Sequence, residues 1–164
     1  MKFIKHLNAK KWKSVIEAKW WPNQQKAVEL AGDYLDAKKD QQAMIRMPTG
    51  TGKTVVIATL AQLLEDYQQV LVVAPWENLV GQLEREISAR LWAKLGEATS
   101  LNVRPTKVFT PAALKAALKQ VGQAGVLICT NQTLQALRKD NMAFQRLRRW
   151  TKLALVDEGH REPA

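Results

Sequence analysis

Five consecutive residues, Gly50-Thr51-Gly52-Lys53-Thr54 in "MIRMPTGTGKTVVIATL", combine two glycines and two threonines around one lysine. An apolar run precedes them and a helical pattern follows. A strand that ends in a glycine turn and re-enters a helix leaves backbone N–H groups free at the helix start, aimed with the positive end of its dipole into the turn. That arrangement suits a polyphosphate. Met47 to Thr54 fits the spacing G-x-x-x-x-G-K-[ST] at every required position but the first, where Met47 stands for glycine. Gly50 and Gly52 let the backbone wrap the phosphates, Lys53 neutralises the β and γ groups, and the Thr54 hydroxyl can ligate Mg²⁺. Pro48, Thr49 and Thr51 complete the loop expected to touch Mg-ATP. A chance glycine turn would carry no such requirement for a strand before it and a helix after it.

A phosphate loop alone does not imply hydrolysis, which also needs an acidic site at a strand end. "LALVDE" supplies one: four apolar residues, then Asp157, placed to hold Mg²⁺ through water, and Glu158, placed to polarise the attacking water. A solvated acidic pair is the plain alternative, weakened by the lysine loop earlier in the same chain.

These residues must be positioned by alternating elements. Ala27, Leu30, Ala31, Tyr34 and Leu35 recur at helical spacing after Pro22, which predicts a helix over about 22–39. "QAMIRM" is expected as a short strand entering the glycine turn, and Val56, Leu60, Leu63 and Leu64 as one face of the following helix. "QVLVVAP" is a continuous β-branched run, the pattern of a strand buried on both faces of a parallel sheet. Leu79, Leu83, Ile87, Leu91 and Leu95 recur every fourth residue and predict one long helix. A weak strand near "TKVFT", a helix opened by Thr110 and Pro111, a strong strand "GVLICT", a short helix "QTLQALRK" and the run "LALVDE" complete the order. Arg146, Arg148 and Arg149 read as a solvated basic lead-in to that last strand. The alternation predicts a doubly wound α/β domain with a mostly parallel sheet and helices on both faces.

Of 164 residues, 46% are hydrophobic and 24% charged, which gives no compositional case for disorder. The net charge of +10 favours a polyanionic partner, because a positive field speeds encounter with nucleic acid and counterion release supplies sequence-independent affinity. The single cysteine, Cys129, sits in an apolar run and reads as a small buried side chain. No Cys/His spacing suggests zinc, and no segment approaches the ~18 apolar residues of a membrane span. A cytoplasmic protein without a membrane partner is expected.

"MPTGTGKT" followed by "DEGH" resembles motifs I and II of superfamily 2 helicases and translocases, the DEAD/DEAH-box group in its broad sense. "WPNQQKAV" resembles the "RPYQ" segment of DNA-directed members such as restriction-enzyme motor subunits, which implies that Gln24 sits near the adenine. "VLVVAPWENLVGQ" is similar to motif Ia and "VLICTNQTL" to the segment that meets the nucleic-acid backbone, so the likeness implies contacts near Pro75, Gln82, Thr130 and Gln132. It covers about residues 22–164. "DEGHREPA" looks more like the restriction-type motors than the RNA helicases, which implies DNA before RNA, and His160 is implied to couple the nucleotide site to a neighbouring domain. Asn23 stands where an aromatic is common, and Trp76-Glu77 replaces the usual Thr-Arg of motif Ia.

The resemblance implies a RecA-like P-loop NTPase domain over 22–164, preceded by a basic tryptophan-containing segment, 1–21, and completed elsewhere by a second RecA-like domain. In that family the strand after "DEGH" lies between the phosphate-loop strand and the strand ending at Asp157. Its absence from these 164 residues implies a domain cut short after the second motif, and negligible turnover by the fragment alone. Trp12, Trp20 and Trp21 could stack on bases, but are expected to pack an N-terminal helix onto the domain. Two rivals stand beside the motor reading: a nucleotide-sensing or assembly module that binds ATP and nucleic acid without turnover, and a transporter-type ATPase, which would require an "LSGGQ"-like signature that the chain lacks.

Overall fold

The computed structural model describes residues 17–37, 42–63, 67–96, 105–120 and 125–157. Helix α1 (Pro22–Asp36) and helix α2 (Lys53–Leu63) precede strand β1 (Gln69–Ala74). Helix α3 (Glu77–Arg85) runs through a π-helical turn (Glu86–Arg90) into α4 (Leu91–Leu95). Strand β2 (Pro105–Val108), helix α5 (Pro111–Gln120), strand β3 (Gly125–Thr130), helices α6 (Asn131–Leu137) and α7 (Asn141–Trp150), and strand β4 (Leu153–Val156) follow.

The four strands form one all-parallel sheet in the order β2-β3-β1-β4. β1 and β3 are central, and β3 is buried along its whole length, which is why "GVLICT" carries no polar alternation. Register sends alternate residues to two separate cores. Val70, Val72, Val126 and Ile128 face the side covered by α1 to α4, while Leu71, Val73, Leu127 and Cys129 face the side covered by α5 to α7. The expected α/β domain with helices on both faces is therefore what the chain forms.

Two elements differ from the sequence reading. Residues 42–48 take no ladder position, so the strand expected at "QAMIRM" is absent. Ile45 and Met47 pack against the first core at period-two spacing, as a strand would, but among the described residues β4 ends the sheet and nothing beyond it takes their N–H and C=O groups. The basic run before β4, read above as a solvated lead-in, forms a helix whose arginines are indeed exposed. Asp140 accepts a hydrogen bond from the Ala143 N–H at 3.1 Å as its cap, Ala143, Phe144 and Trp150 pack against the second core around buried Leu147, and the arginines face out.

The long helix departs in a smaller way. A strict four-residue repeat advances ~40° too far per step on a 3.6-residue helix, so five such positions cannot share one face. The wider π turn at Glu86–Arg90 takes up the drift and keeps Leu83, Ile87 and Leu91 all at or below 1% exposure. Within that turn Glu86 is buried and ion-paired with Lys94 and, at 3.9 Å, with Arg90.

Candidate nucleotide site

Gly50 and Gly52 both take φ of 80°, the left-handed region that glycine enters without a Cβ penalty. Between them the Thr51 hydroxyl donates to the Pro48 carbonyl at 2.6 Å and ties the turn to its entry. The first bonds of α2 run from the N–H groups of Val55 and Val56 to the Gly52 carbonyl, so those of Lys53 and Thr54 lie ahead of the helical ladder at its positive end. Lys53 and Thr54 are half-buried there, while Pro48, Thr49 and Gly50 are exposed.

Gln24 reaches this loop from the first turn of α1. Its side-chain oxygen accepts from the Trp21 N–H at 3.1 Å, and its amide nitrogen donates to the Thr51 carbonyl at 3.0 Å. Asn23 donates to the same carbonyl at 3.4 Å. Gln24 is only 6% exposed, and the Thr51 carbonyl is thereby turned toward α1.

A cavity of about 340 Å³ opens beside this contact, lined by Trp21, Gln24, Gly50, Gly52, Val55 and two lysines, Lys19 and Lys94. It joins the predicted Gln24 to the two loop glycines but does not extend to Lys53, Thr54 or Asp157. Trp21, Lys19 and Lys94 were not anticipated. Lys94 arrives through the π turn, whose signal in the sequence is the apolar repeat every four residues, and Trp21 adjoins the "PNQQ" segment and is legible as a neighbour of Gln24. The tryptophans divide. Trp20 is buried and donates its indole N–H to Thr59 at 3.1 Å, as packing predicts, Trp21 is 58% exposed, and Trp12 lies outside the described residues.

Asp157 follows β4 directly, half-buried, with its N–H donating to the Val73 carbonyl at 2.9 Å. Leu153 and Leu155 of that strand pack on the same core as Val55 and Val56 of α2, so the acidic strand end and the phosphate loop are anchored to one apolar mass. Glu158 and His160 lie outside the described residues. Of the residues implied for nucleic acid, Gln82 and Gln132 are exposed and Pro75 is half-buried. Thr130 is 5% exposed, and its hydroxyl is engaged in capping α6, accepting from the Thr133 N–H at 3.1 Å. Cys129 is fully buried, and burial pushes its thiol up to about 12.

No helix among the described residues is long and apolar enough to cross a membrane, and no group of His, Cys, Asp and Glu among them could hold a metal by itself. No curated protein matches the sequence. The family model for the type III restriction enzyme res subunit matches residues 6–164, nearly the whole chain. With a parallel α/β sheet, a glycine loop opening α2 and an acidic residue closing β4, the chain belongs to the type III restriction enzyme res subunit family, as a RecA-like, helicase-like domain.

Proposed function

We propose that the chain is the ATP-binding and hydrolysing motor domain of a superfamily 2 DNA helicase or translocase of restriction type, with residues 22–164 as its first RecA-like unit. The observation that carries this reading is the loop from Pro48 to Thr54. Two left-handed glycines flank a threonine whose carbonyl is held aside by Gln24, and the start of α2 is left open behind them. The donor set fits a triphosphate with Mg²⁺. Backbone N–H groups and the Lys53 ammonium would bind the phosphates, and the Thr54 hydroxyl and Asp157 carboxylate would hold the metal, which supplies charge neutralisation at the γ-phosphate. Glu158 is assigned the task of orienting water and drawing its proton. Gln24, on the cavity beside the loop, would bind the adenine, and His160 would couple the site to a second RecA-like domain.

Nucleic acid, DNA before RNA, is assigned to the carboxyl ends of the strands near Pro75, Gln82 and Gln132, with Thr130 holding the turn beneath them. A motor that moves along any sequence needs contacts that do not read bases, so its affinity should fall steeply with salt. Titration of a fluorescent ATP analogue with Mg²⁺ against the full chain tests the nucleotide half of this reading. Lys53→Ala should weaken binding at least tenfold and Asp157→Asn should abolish the Mg²⁺ dependence. Equal dissociation constants for the three proteins would overturn the site.

A further inference from the structure

Outgoing connections part company between the two central strands. From β1 the chain enters α3 on one face of the sheet, whereas from β3 and β2 it enters α6 and α5 on the other. Where neighbouring strands send their helices to opposite faces, a crevice opens at their carboxyl ends. Two large aromatic rings stand at its lips. Trp76, just past β1, is 54% exposed, and Phe109, just past β2, is 41% exposed.

Both positions are held by backbone bonds, and both rings keep about half of their surface exposed. The Trp76 carbonyl accepts from the Leu79 and Val80 N–H groups as α3 begins, with the residue extended at φ −134°. The Phe109 carbonyl accepts from the Thr133 hydroxyl at 2.9 Å, and that hydroxyl lies 3.0 Å from the one on Thr130 at the floor of the crevice. Register sets Val108 opposite Cys129 and Ala74 opposite Thr130, so Phe109, Thr130 and Ala74 lie in one row across three strands. At about 4.8 Å per strand, Phe109 is then roughly 10 Å from Ala74, two residues before Trp76.

We infer that Trp76 and Phe109 are stacking platforms for the bases of a single nucleic-acid strand lying along this crevice. This rests on the nucleic-acid half of the function proposed above and specifies the contact. The charge pattern favours bases over phosphates at the Trp76 lip, because Glu77 places a carboxylate in the first turn of α3, where a phosphate would otherwise be drawn. A ring offers every base the same face, so stacking suits a partner read without regard to sequence, and the net charge of +10 supplies the long-range attraction.

The test is fluorescence anisotropy of the full chain with two labelled oligonucleotides of equal length, one of thymidines and one abasic with the same phosphates. The unaltered protein should prefer the thymidine strand. Trp76→Ala and Phe109→Ala should each weaken that strand by about 5- to 150-fold and leave the abasic strand unchanged, while Trp76→Phe retains most of the preference. Equal affinity of the unaltered protein for both strands would overturn the stacking and leave the motor reading intact. Binding of neither would remove the nucleic-acid assignment itself. Alanine variants that bind both strands normally but change the sedimentation of the protein would give the rings to a protein contact instead, which also overturns the inference.

Discussion

The amide nitrogen of Gln24 lies where a side chain on Gly52 would begin: a Cβ at that glycine would stand 2.2 Å from it. Because φ at Gly52 is also 80°, Gly52→Ala suffers twice, from the backbone and from displacing the Gln24 amide, which would give up its bond to the Thr51 carbonyl. It should lower the melting temperature and reduce nucleotide affinity at least tenfold. Gly50→Ala shares the backbone penalty but meets nothing within 4 Å, so it should cost less stability. Paired thermal melts and nucleotide titrations of the two variants check this, and equal losses would contradict it.

Trp20 anchors the segment before α1 through its bond to Thr59, whose own hydroxyl donates to the Val55 carbonyl at 2.7 Å. Trp20→Phe keeps most of the apolar bulk and removes the indole donor, an expected loss of about 1 to 3 kcal/mol. Trp20→Ala should cost about 3 to 5 kcal/mol through the cavity it leaves. Urea unfolding of both variants would rank them, and a smaller loss for alanine would mean that the indole contributes nothing by packing.

Lys94→Ala would leave the buried Glu86 carboxylate, among the described residues, paired with Arg90 alone, at 3.9 Å. Because the lysine itself is 45% exposed at its side chain, the loss is expected to be moderate, about 1 to 3 kcal/mol. Added salt should change it little, since a buried carboxylate is poorly screened. Denaturation at two ionic strengths measures both points.

Burial raises the Cys129 thiol from 9.0 to about 12, so the folded chain holds its proton where the unfolded chain releases it. The stability tied to the neutral thiol is complete below pH 9 and is lost as the pH climbs toward about 12. The advantage of the protein over its Cys129→Ala variant should therefore shrink across that window. Below it, a thiol reagent should label Cys129 only as fast as the chain unfolds, and rapid labelling of native protein would show that the residue is accessible.

The strongest sequence signals were those with one physical meaning. β-Branched and apolar runs of six residues could be satisfied only by strands buried on both faces, and β1 and β3 are such strands. The glycines of the phosphate loop were legible because φ of 80° admits few other residues. What escaped depended on partners distant in sequence. "QAMIRM" has strand-like alternation, yet a ladder needs a neighbour, which local pattern does not supply. In α7 the three-residue spacing of Phe144, Leu147 and Trp150 describes a helix, and the arginines between them mask that pattern. Lys94 reaches the cavity only because the turn between Glu86 and Arg90 is wide, and the regular repeat of apolar residues every four positions was the clue to that width.

That wide turn behaves as an insertion of one residue that the helix has absorbed. Drawing the same residues into a regular α-helix, with none removed, would give better backbone bonds than before. Everything beyond the turn would then rotate by roughly 90° and slide by about 1.5 Å. Leu91 and Trp92 would leave the core, and Lys94 would leave both Glu86 and the cavity beside Gln24. The width of this turn is thus fixed by what lies at the far end of the helix, although its exposed side would tolerate almost any exchange of side chains.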